Sequence, residues 1–397
     1  MIVAAFMLSA AWLAYTYAGY PMVLYVWSRW TSRHATQTVL RASDGSPFRR
    51  RLAAGVAPDK EPMVSVIVAA HDEAATIGER VQNLLSQDYP DDRLEVLVGS
   101  DGSTDGTVAA VPQVARCRIR VLDLPRQGRA GVHNTCAAAA RGEILVFTDA
   151  GTQFAVDCLR RLLTPFSDSA VGCASGYLVY TNAHEAGVAQ SAGWYWRYEL
   201  LLRRLESAGG STVAVTGACM AMRKDLFRSL APTDDIDDAA PVDTLLAGRR
   251  VVFVADAVAY DRLPDSSANE LAARQRIVTK NLTAIVNRPQ VLRLYRYPEA
   301  ALKLISHRVM RYLSPLFLIT LFLTSAFLPG RLLFDAAWAA QLLFYGGALV
   351  GLIADRVHRQ IPVASLLFAF CVANVGFLLG VWNIVRGRGV TLYKPIR

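Results

Sequence analysis

The sequence has few cysteines for its length, and none of them stands in a spacing that binds metal. The 397 residues include six cysteines, which are scattered without a Cys-x-x-Cys or Cys/His pattern. A zinc-binding module and the disulfide framework of a small secreted domain are therefore not expected. Reduced thiols in a cytosolic domain are the better interpretation.

The sequence also lacks the signature of a nucleic-acid-binding module, although its net charge is +9. The basic residues lie mainly beside long apolar segments, where anionic lipid headgroups can bind them. We therefore expect membrane lipids, and no nucleic acid, among the partners.

Charge is nearly absent from four long segments, each close to the ~20 residues that cross a bilayer as a helix. The first has no basic stretch before it and is longer than the apolar core of a usual signal peptide, so we expect an uncleaved transmembrane helix at residues 1–27. About three more transmembrane helices are expected within 310–385. The four segments are Met1–Trp27, Tyr312–Leu328, Ala336–Ala354 and Ile361–Val385.

The flanking charges predict how the chain sits in the membrane. A run of arginines follows the first span, and the positive-inside rule then places the N-terminus outside and the next domain in the cytoplasm. The expected location is the inner (plasma) membrane of a bacterium. We expect a basic cytosolic tether at 28–60, amphipathic interface helices at 265–309 and a basic tail at 386–397. Three C-terminal spans would put that tail outside, so either one segment does not cross or the tail is an exception. The arginines are Arg29, Arg33, Arg41, Arg49, Arg50 and Arg51.

Between these segments the chain alternates strand and helix, which predicts an α/β domain with parallel strands at about 61–264. The predicted strands are Met63–Ala70, Leu94–Val98, Ile119–Leu122, Ile144–Thr148, Val171–Tyr180, Ser211–Met222 and Arg249–Ala255. The predicted helices are Glu73–Gln87, Thr107–Val114, Gly131–Ala140 and Trp194–Leu205.

Two of these strands end in an aspartate inside an abrupt turn. Asp101 is followed by Gly-Ser-Thr-Asp-Gly, and Asp149 is followed by Ala-Gly. Ligands of an open parallel sheet bind outside the carboxyl ends of its strands. Two acidic turns there predict a pocket for a polyhydroxyl ligand or for a phosphate that carries a cation.

Four motifs in this order resemble the family 2 glycosyltransferases, which have a GT-A fold, a Rossmann-like nucleotide-binding sheet. The resemblance covers about residues 62–288. It implies an inverting enzyme that moves a sugar from a nucleotide-diphosphate donor, expected to be a UDP-sugar, to a lipid-linked or saccharide acceptor in glycolipid or exopolysaccharide synthesis. The motifs are Val64–Glu73 (VSVIVAAHDE), Asp101–Thr107 (DGSTDGT), Arg129–Asn134 (RAGVHN) and Gly142–Ala150 (GEILVFTDA).

The resemblance implies which residues bind the donor. The loop from Ala70 to Glu73 would touch the base and ribose, although an acidic residue there also suits a helix start. Asp101 would read the base or ribose, and Arg129 would clamp the diphosphate. Arg276 lies where processive members carry a Gln-x-x-Arg-Trp motif, and it is a further candidate for the diphosphate.

Asp149 is the expected metal ligand. A Mg²⁺ or Mn²⁺ ion that bridges this carboxylate and the phosphates would neutralise the donor and stabilise the leaving group. The family motif is Asp-x-Asp, but Gly151 stands at the third position. The bland alternative is a strand-end aspartate in a tight turn.

An inverting transferase needs a base for the acceptor hydroxyl. The acidic stretch Asp234-Asp235-Ile236-Asp237-Asp238 precedes a predicted helix, and the family places its base aspartate there. Position favours Asp237, with Asp238 as the second candidate, and a solvated acidic loop is the alternative. The aromatic stripe Trp194–Glu199 is expected near the acceptor entrance.

Two other functions stay open. One is a polyprenyl-phosphate sugar synthase, whose phosphate acceptor needs no strong base. The other is a membrane scaffold that keeps the fold but has lost its catalysis. Gly151 and Ile236 suggest this function, because the resembled family carries acidic residues at these positions.

Overall fold

A mixed β-sheet forms the centre of the chain. The computed structural model describes residues 1–41, 61–112, 118–181, 187–262, 267–357, 359 and 361–387. Within them eight strands form one sheet in the order β3-β2-β1-β4-β7-β6-β8-β5. The strands are β1 Val64–Ala70, β2 Leu94–Asp101, β3 Arg118–Leu124, β4 Ile144–Asp149, β5 Gln153–Phe154, β6 Val171–Tyr180, β7 Met220–Arg223 and β8 Arg250–Asp261.

Strands β1 to β4 form a parallel unit, with β1 between β2 and β4. Their side chains alternate between the two faces of the sheet. In β1, Val64, Val66 and Val68 join one buried cluster, whereas Ile67 joins the cluster on the opposite face. Both faces are apolar because both are covered by helices. The parallel register brings the ends of β1, β2 and β4 to one edge of the sheet.

Helices cover both faces of the sheet. They are α3 Ile77–Leu85, α4 Gly128–Ala139, α5 Cys158–Leu163, α6 Gly187–Ala208, α7 Ile236–Leu246 and α8 Ser267–Asn287. Helix α4 lies very close to β2, because a Cβ atom at Gly99 would come within 2.4 Å of the Val132 side chain. The small residues of α4 thus bring its N-terminus to the edge where β2 ends.

Three predicted elements differ from the structure. Helix α3 begins at Ile77 rather than at Glu73. Residues 107–110 form turns and no helix, because the Thr107 hydroxyl accepts from Glu73 N at 2.9 Å and donates to Asp105. These side-chain bonds tie the turn to the loop after β1. Of the strand predicted at Ser211–Met222, only the last residues belong to a strand, since β7 begins at Met220.

In the part of the chain that the structure describes, four helical segments are long and apolar enough to cross a membrane: Ile2–Thr31, Pro298–Ala326, Leu332–Arg356 and Pro362–Val385. The helix that begins at Tyr20 continues to Arg41, so the first part of the predicted tether is helical. Residues 42–60 and 388–397, which include the rest of the tether and most of the basic tail, lie outside the described residues. The helices are α1 Ile2–Ala14, α2 Tyr20–Arg41, α9 Pro298–Leu304, α10 Met310–Ala326, α11 Leu332–Arg356 and α12 Pro362–Val385.

The second candidate span is attached to the sheet domain by buried charges. It includes residues up to 309 that the sequence placed in interface helices. The His307 ring lies between two glutamates of α6, with Nδ1 2.7 Å from Glu206 and Nε2 3.1 Å from Glu199. Arg311 Nη1 donates to Glu199 at 2.9 Å, and the Tyr20 hydroxyl donates to Glu206 at 2.6 Å. Two candidate spans are therefore bonded to one helix of the domain.

Candidate active site

A cavity of about 840 Å³ lies at the edge of the sheet where β1, β2 and β4 end. It extends from these strand ends to the second candidate span. All eight residues that the sequence proposed for the site line it: Ala70, Glu73, Asp101, Arg129, Asp149, Asp237, Asp238 and Arg276. The structure therefore brings together side chains that are up to about two hundred positions apart.

Asp101 is bonded to the turn that starts α4. Its Oδ1 accepts from Gln127 N at 2.7 Å and from Gly128 N at 3.0 Å, and its Oδ2 is 3.0 Å from Arg126 Nη1. Only 5% of Asp101 is exposed. The carboxylate therefore fixes this wall of the cavity and the direction of Arg126, and the part that faces the cavity is available to a ligand.

The loop after β1 is bonded to the turn after β2. Asp72 has a positive φ of 53°, and its Oδ1 accepts from Thr104 N at 2.9 Å. The Glu73 carboxylate accepts from the Thr76 hydroxyl at 2.9 Å, in the turn before α3. Both acidic residues thus have a structural use, and Glu73 also lines the cavity.

Asp149 at the end of β4 is paired with Arg129. The Arg129 Nη2 donates to Asp149 Oδ1, and its Nε lies 3.9 Å from Asp235 Oδ1. Asp235 is in turn 3.2 Å from Lys280 Nζ. Burial alone would raise the pKa of Asp235, but the charges of Arg129 and Lys280 outweigh burial and lower that pKa. Arg129 therefore lies between two carboxylates that can each bind it.

Asp237 and Asp238 lie in the first turn of α7 but have different surroundings. The Asp238 carboxylate accepts from Arg308 Nη1 at 2.9 Å. Among the described residues, no other side chain forms a hydrogen bond or ion pair with Asp237. Burial raises the pKa of Asp237, and Asp235 adds to the rise while Arg129 opposes it. Burial raises the pKa of Asp238 as well, so the pKa does not distinguish the two groups. Asp237 is the better proton acceptor because, unlike Asp238, it is not paired with an arginine.

The loop before β7 packs against this carboxylate. A Cβ atom at Gly217 would lie 3.3 Å from the Cγ of Asp237. Any larger residue at position 217 would therefore press on the side chain. The glycine lets the loop backbone pass close to the candidate base.

The far end of the cavity is lined by α6, α8 and the second candidate span. Trp196 donates from Nε1 to Leu178 O at 3.0 Å, and its ring contacts Tyr180 edge to face at 5.4 Å. Arg203 lies over the same tryptophan, 5.0 Å from the ring centroid. The stripe thus contributes Trp196 to this end of the cavity, together with Arg276 of α8.

The residues beside Asp149 could bind a divalent cation whose coordination shell is completed by a bound ligand. Among the residues that the structure describes, no three His, Cys, Asp or Glu side chains form a metal cluster. A Cβ atom at Gly151 would meet nothing within 4 Å, so the space beside Asp149 is open. Mg²⁺ commonly uses one or two carboxylates and completes its shell with phosphates and water. Asp149 can supply such a ligand once Arg129 moves toward Asp235.

Several cavity residues were missed in the sequence, among them Asp261, Arg126 and Arg308. Asp261 ends β8, and its Oδ2 accepts from the Thr152 hydroxyl at 3.1 Å. The strand-end reasoning that found Asp101 and Asp149 could also have found Asp261. Arg126 and Arg308 carry no such signal, since each is recognised only by its contact with an aspartate far away in the chain.

A family model matches the part of the chain that supplies the strand ends of this cavity. The model of glycosyl transferase family 2 matches residues 65–231. Residues 65–231 form a family 2 glycosyltransferase domain. The matched residues begin at the second residue of β1 and continue beyond β7, and so include the ends of β1, β2 and β4.

Curated relatives resemble parts of this glycosyltransferase domain. A β-monoglucosyldiacylglycerol synthase of Synechocystis sp. is 38% identical over 117 residues, which are 28% of this chain and 24% of the relative. An N-acetylglucosaminyltransferase of Mesorhizobium japonicum is 29% identical over 235 residues, 54% of this chain and 55% of the relative. The chain thus spans between a quarter and about half of the length of these relatives.

A solved structure resembles nearly the whole chain. A mannosyltransferase from Pyrobaculum calidifontis, solved in complex with GDP-Man and Mn²⁺, matches with a TM-score of 0.66 and 23% identity. The match covers 96% of this chain and 99% of the other. The predicted GT-A fold with apolar helices before and after it is therefore confirmed.

Proposed function

We propose that this chain is an inverting glycosyltransferase that moves a sugar from a nucleotide-diphosphate donor to a lipid-linked or saccharide acceptor beside the membrane. One observation carries the proposal. A single cavity joins the strand ends of a family 2 domain, the unpaired carboxylate of Asp237, and a helix that is apolar enough to span a bilayer. The names of the relatives, a glycolipid synthase and an N-acetylglucosaminyltransferase, support this class of reaction.

The donor would lie along the ends of β1, β2 and β4. The wall formed by Ala70, Glu73 and Asp101 would hold the nucleoside, for which we expect uridine. Arg129 and Arg276 would face the diphosphate, since guanidinium groups bind phosphate oxygens in pairs of hydrogen bonds. Asp149 would hold Mg²⁺ or Mn²⁺, which when bound neutralises the diphosphate and stabilises it as a leaving group.

Asp237 would act as the base. The acceptor hydroxyl oxygen forms a bond to the anomeric carbon while its proton passes to the Asp237 carboxylate. The bond from the anomeric carbon to the phosphate oxygen breaks, and the nucleoside diphosphate leaves with that electron pair. Asp238 would instead remain bonded to Arg308 and fix the start of α7.

The acceptor would approach from the membrane side of the cavity. Arg308, Arg311 and Tyr312 line that end and belong to the second candidate span. A lipid-linked acceptor could then stay in the bilayer while its reacting hydroxyl enters the cavity. The arginines after the first span favour a cytoplasmic position for this domain at the plasma membrane.

A second function, a polyprenyl-phosphate sugar synthase, is favoured by one observation. Arg203, Arg308 and Arg311 all line the end of the cavity where the acceptor would bind. Guanidinium groups suit a phosphate acceptor, which is ionised already and needs no strong base. Loss of Asp237 would then affect the rate only slightly.

The test is a panel of UDP- and GDP-sugars added to the purified chain with Mn²⁺, with Mg²⁺ or with EDTA. A ligand that binds only the folded state stabilises it by about 3 kcal/mol at a hundredfold excess over Kd, and the melting temperature rises accordingly. We expect one donor to stabilise the protein only with a divalent cation, and Asp149→Asn to abolish this while the exposed Asp225→Asn does not.

The stabilising donor is then offered to diacylglycerol, to glycosylated lipids, to saccharides and to polyprenyl phosphate. Transfer to a hydroxyl acceptor supports the first proposal, and transfer to polyprenyl phosphate alone supports the second. Binding without transfer or donor hydrolysis would indicate a scaffold that has lost its catalysis. No stabilisation by any nucleotide sugar would contradict both enzymatic proposals.

A further inference from the structure

Arg80 is a buried cation that the proposed mechanism does not use. Its side chain is 0% exposed. Among the described residues it forms no ion pair within 4.0 Å. Burial lowers the pKa of Arg80 to about 10, which leaves the guanidinium charged at neutral pH. A buried charge is destabilising unless it is paired or hydrogen-bonded, so the hydrogen bonds of Arg80 must offset the cost of its burial.

One arm of Arg80 reaches the residue before Asp149. Its Nη2 donates to the Thr148 hydroxyl at 2.7 Å, and that hydroxyl donates to Ala218 O at 2.8 Å. Ala218 follows Gly217 in the loop that packs against Asp237. The chain of bonds thus fixes the end of β4 and the loop beside the candidate base in one arrangement.

The other arm reaches β5 through Asn83. Arg80 Nη1 donates to Asn83 Oδ1, which also accepts from Phe154 N at 2.8 Å, and Asn83 Nδ2 donates to Phe154 O at 2.9 Å. The guanidinium lies over the Phe154 ring, 4.3 Å from its centroid. Since β5 pairs with the last residues of β8, this arm fixes the strand end that carries Asp261.

The charge of Arg80 also acts on the cavity. Asp149 and Asp261 are the carboxylates that favour its charged form, and both line the cavity. A fixed positive charge behind two carboxylates offsets their repulsion of an anionic ligand. In a low-dielectric interior this effect is larger than in water.

We infer that Arg80 is a positioning residue for nucleoside-diphosphate binding, which it serves by fixing the strand ends of Asp149 and Asp261 and by placing a buried positive charge behind them. The inference rests on the proposed function for its ligand. The fixing of the strand ends by Arg80 is a property of the ligand-free protein and is tested separately.

Three variants separate the bonds from the charge. Arg80→Met removes both, Arg80→Lys keeps the charge, and Asn83→Ala breaks the β5 arm alone. The matched control is Arg223→Met, because Arg223 also lies over a phenylalanine, Phe166 at 5.5 Å, and donates to backbone carbonyls but does not line the cavity. Each variant is compared at a temperature where it is folded.

The first measurement is amide hydrogen exchange in the ligand-free full chain. We expect faster exchange in segments 148–154 and 216–219 for Arg80→Met, in 152–154 for Asn83→Ala, and in neither for Arg223→Met. The positioning role would be overturned if exchange in both segments is unchanged in folded Arg80→Met. If Arg80→Met does not fold, unchanged exchange in Arg80→Lys and Asn83→Ala would overturn it instead.

The second measurement is titration with UDP and GDP in the presence of Mn²⁺. We expect Arg80→Met to weaken binding at least about tenfold, as for the loss of a bond to a charged group, and Arg80→Lys to recover most of it. Equal affinity in wild type and Arg80→Met would overturn the link to the ligand. If the wild type binds neither nucleotide, the proposed function and the role of Arg80 in nucleotide binding both fail. The exchange measurement alone then decides whether Arg80 fixes the strand ends.

Discussion

Replacing Asp237 with asparagine should separate the candidate base from its neighbour. The structure places both aspartates in one turn of α7 but pairs only Asp238 with an arginine, Arg308, at 2.9 Å. Asparagine keeps the shape of the side chain and cannot accept a proton. Asp237→Asn therefore removes the base, whereas Asp238→Asn removes only one partner of an ion pair.

The expected loss follows from the role of a base. General base catalysis contributes about 10²–10⁴-fold in rate, which is about 3–5 kcal/mol of the barrier at about 1.4 kcal/mol per tenfold. We expect kcat of Asp237→Asn to fall by that factor with little change in donor KM. Asp238→Asn should lose less, because Asp237 still accepts the proton.

The pH dependence gives an independent check. The pKa of Asp237 is raised by burial, so the wild-type rate should rise with pH through that raised pKa and then level off. Asp237→Asn should lose this rise. A carboxyl with a raised folded pKa contributes stability that is fully present below its unfolded pKa of about 3.9 and is lost as pH rises through the folded pKa. Asp237→Asn should therefore be at least as stable as wild type at pH 7.

The assay is transfer of labelled sugar from the preferred donor at saturating acceptor, from pH 5 to 9, with the melting temperature measured in parallel. Asp225→Asn, on the exposed surface, is the control. The reasoning is refuted if Asp237→Asn keeps full kcat, or if it loses activity only in proportion to its folded fraction.

Three further results are expected. Arg308→Met leaves Asp238 buried without its partner and should destabilise the protein by about 3–5 kcal/mol, seen as a lower melting temperature in detergent. Adding Asp238→Asn should restore part of the lost stability. If the effects of the two substitutions on stability simply add, the ion pair is contradicted. Tyr20→Phe removes the hydroxyl that donates to Glu206 at 2.6 Å and should cost about 1.5–3 kcal/mol, whereas Tyr25→Phe on the exposed surface should change the melting temperature little. Asp101→Asn weakens the bonds to Gln127 N and Gly128 N and should lower nucleotide affinity about tenfold; an unchanged Kd in a titration would remove Asp101 from the donor site.

The parallel strands could be predicted because their side chains are apolar on both faces. Val64–Ala70 and Ile144–Asp149 are short runs, rich in β-branched and apolar residues, that end in turn residues. Their short length and their β-branched content favour a buried strand over a buried helix. The strand ends then brought Asp101 and Asp149 to one edge, as parallel pairing requires.

The local sequence pattern predicted the wrong structure where side chains form hydrogen bonds to residues distant in the chain. The predicted helix at Thr107–Val114 gives way to turns at 107–110, because Thr107 and Asp105 bond to the loop after β1. The helix start moves from Glu73 to Ile77 for the same reason. Propensity along the chain does not contain these contacts.

The distinction between Asp237 and Asp238 depends on Arg308, seventy positions away. No spacing near the two aspartates indicates which one is paired. Arg80, in contrast, had a local signal, since it lies on the same face of α3 as Ile77 and Leu84. A charged residue on a buried face indicates a partner in the interior.

We propose that one cavity binds a nucleotide-diphosphate sugar and uses Asp237 to activate an acceptor at the membrane. The most direct test is a single measurement on the full chain in lipid vesicles: sugar transfer from the stabilising donor with Mn²⁺, for wild type and Asp237→Asn together. Transfer by wild type that EDTA abolishes and Asp237→Asn reduces about 10²–10⁴-fold is the predicted result. Equal transfer by the two proteins, or transfer that persists in EDTA, would contradict the account.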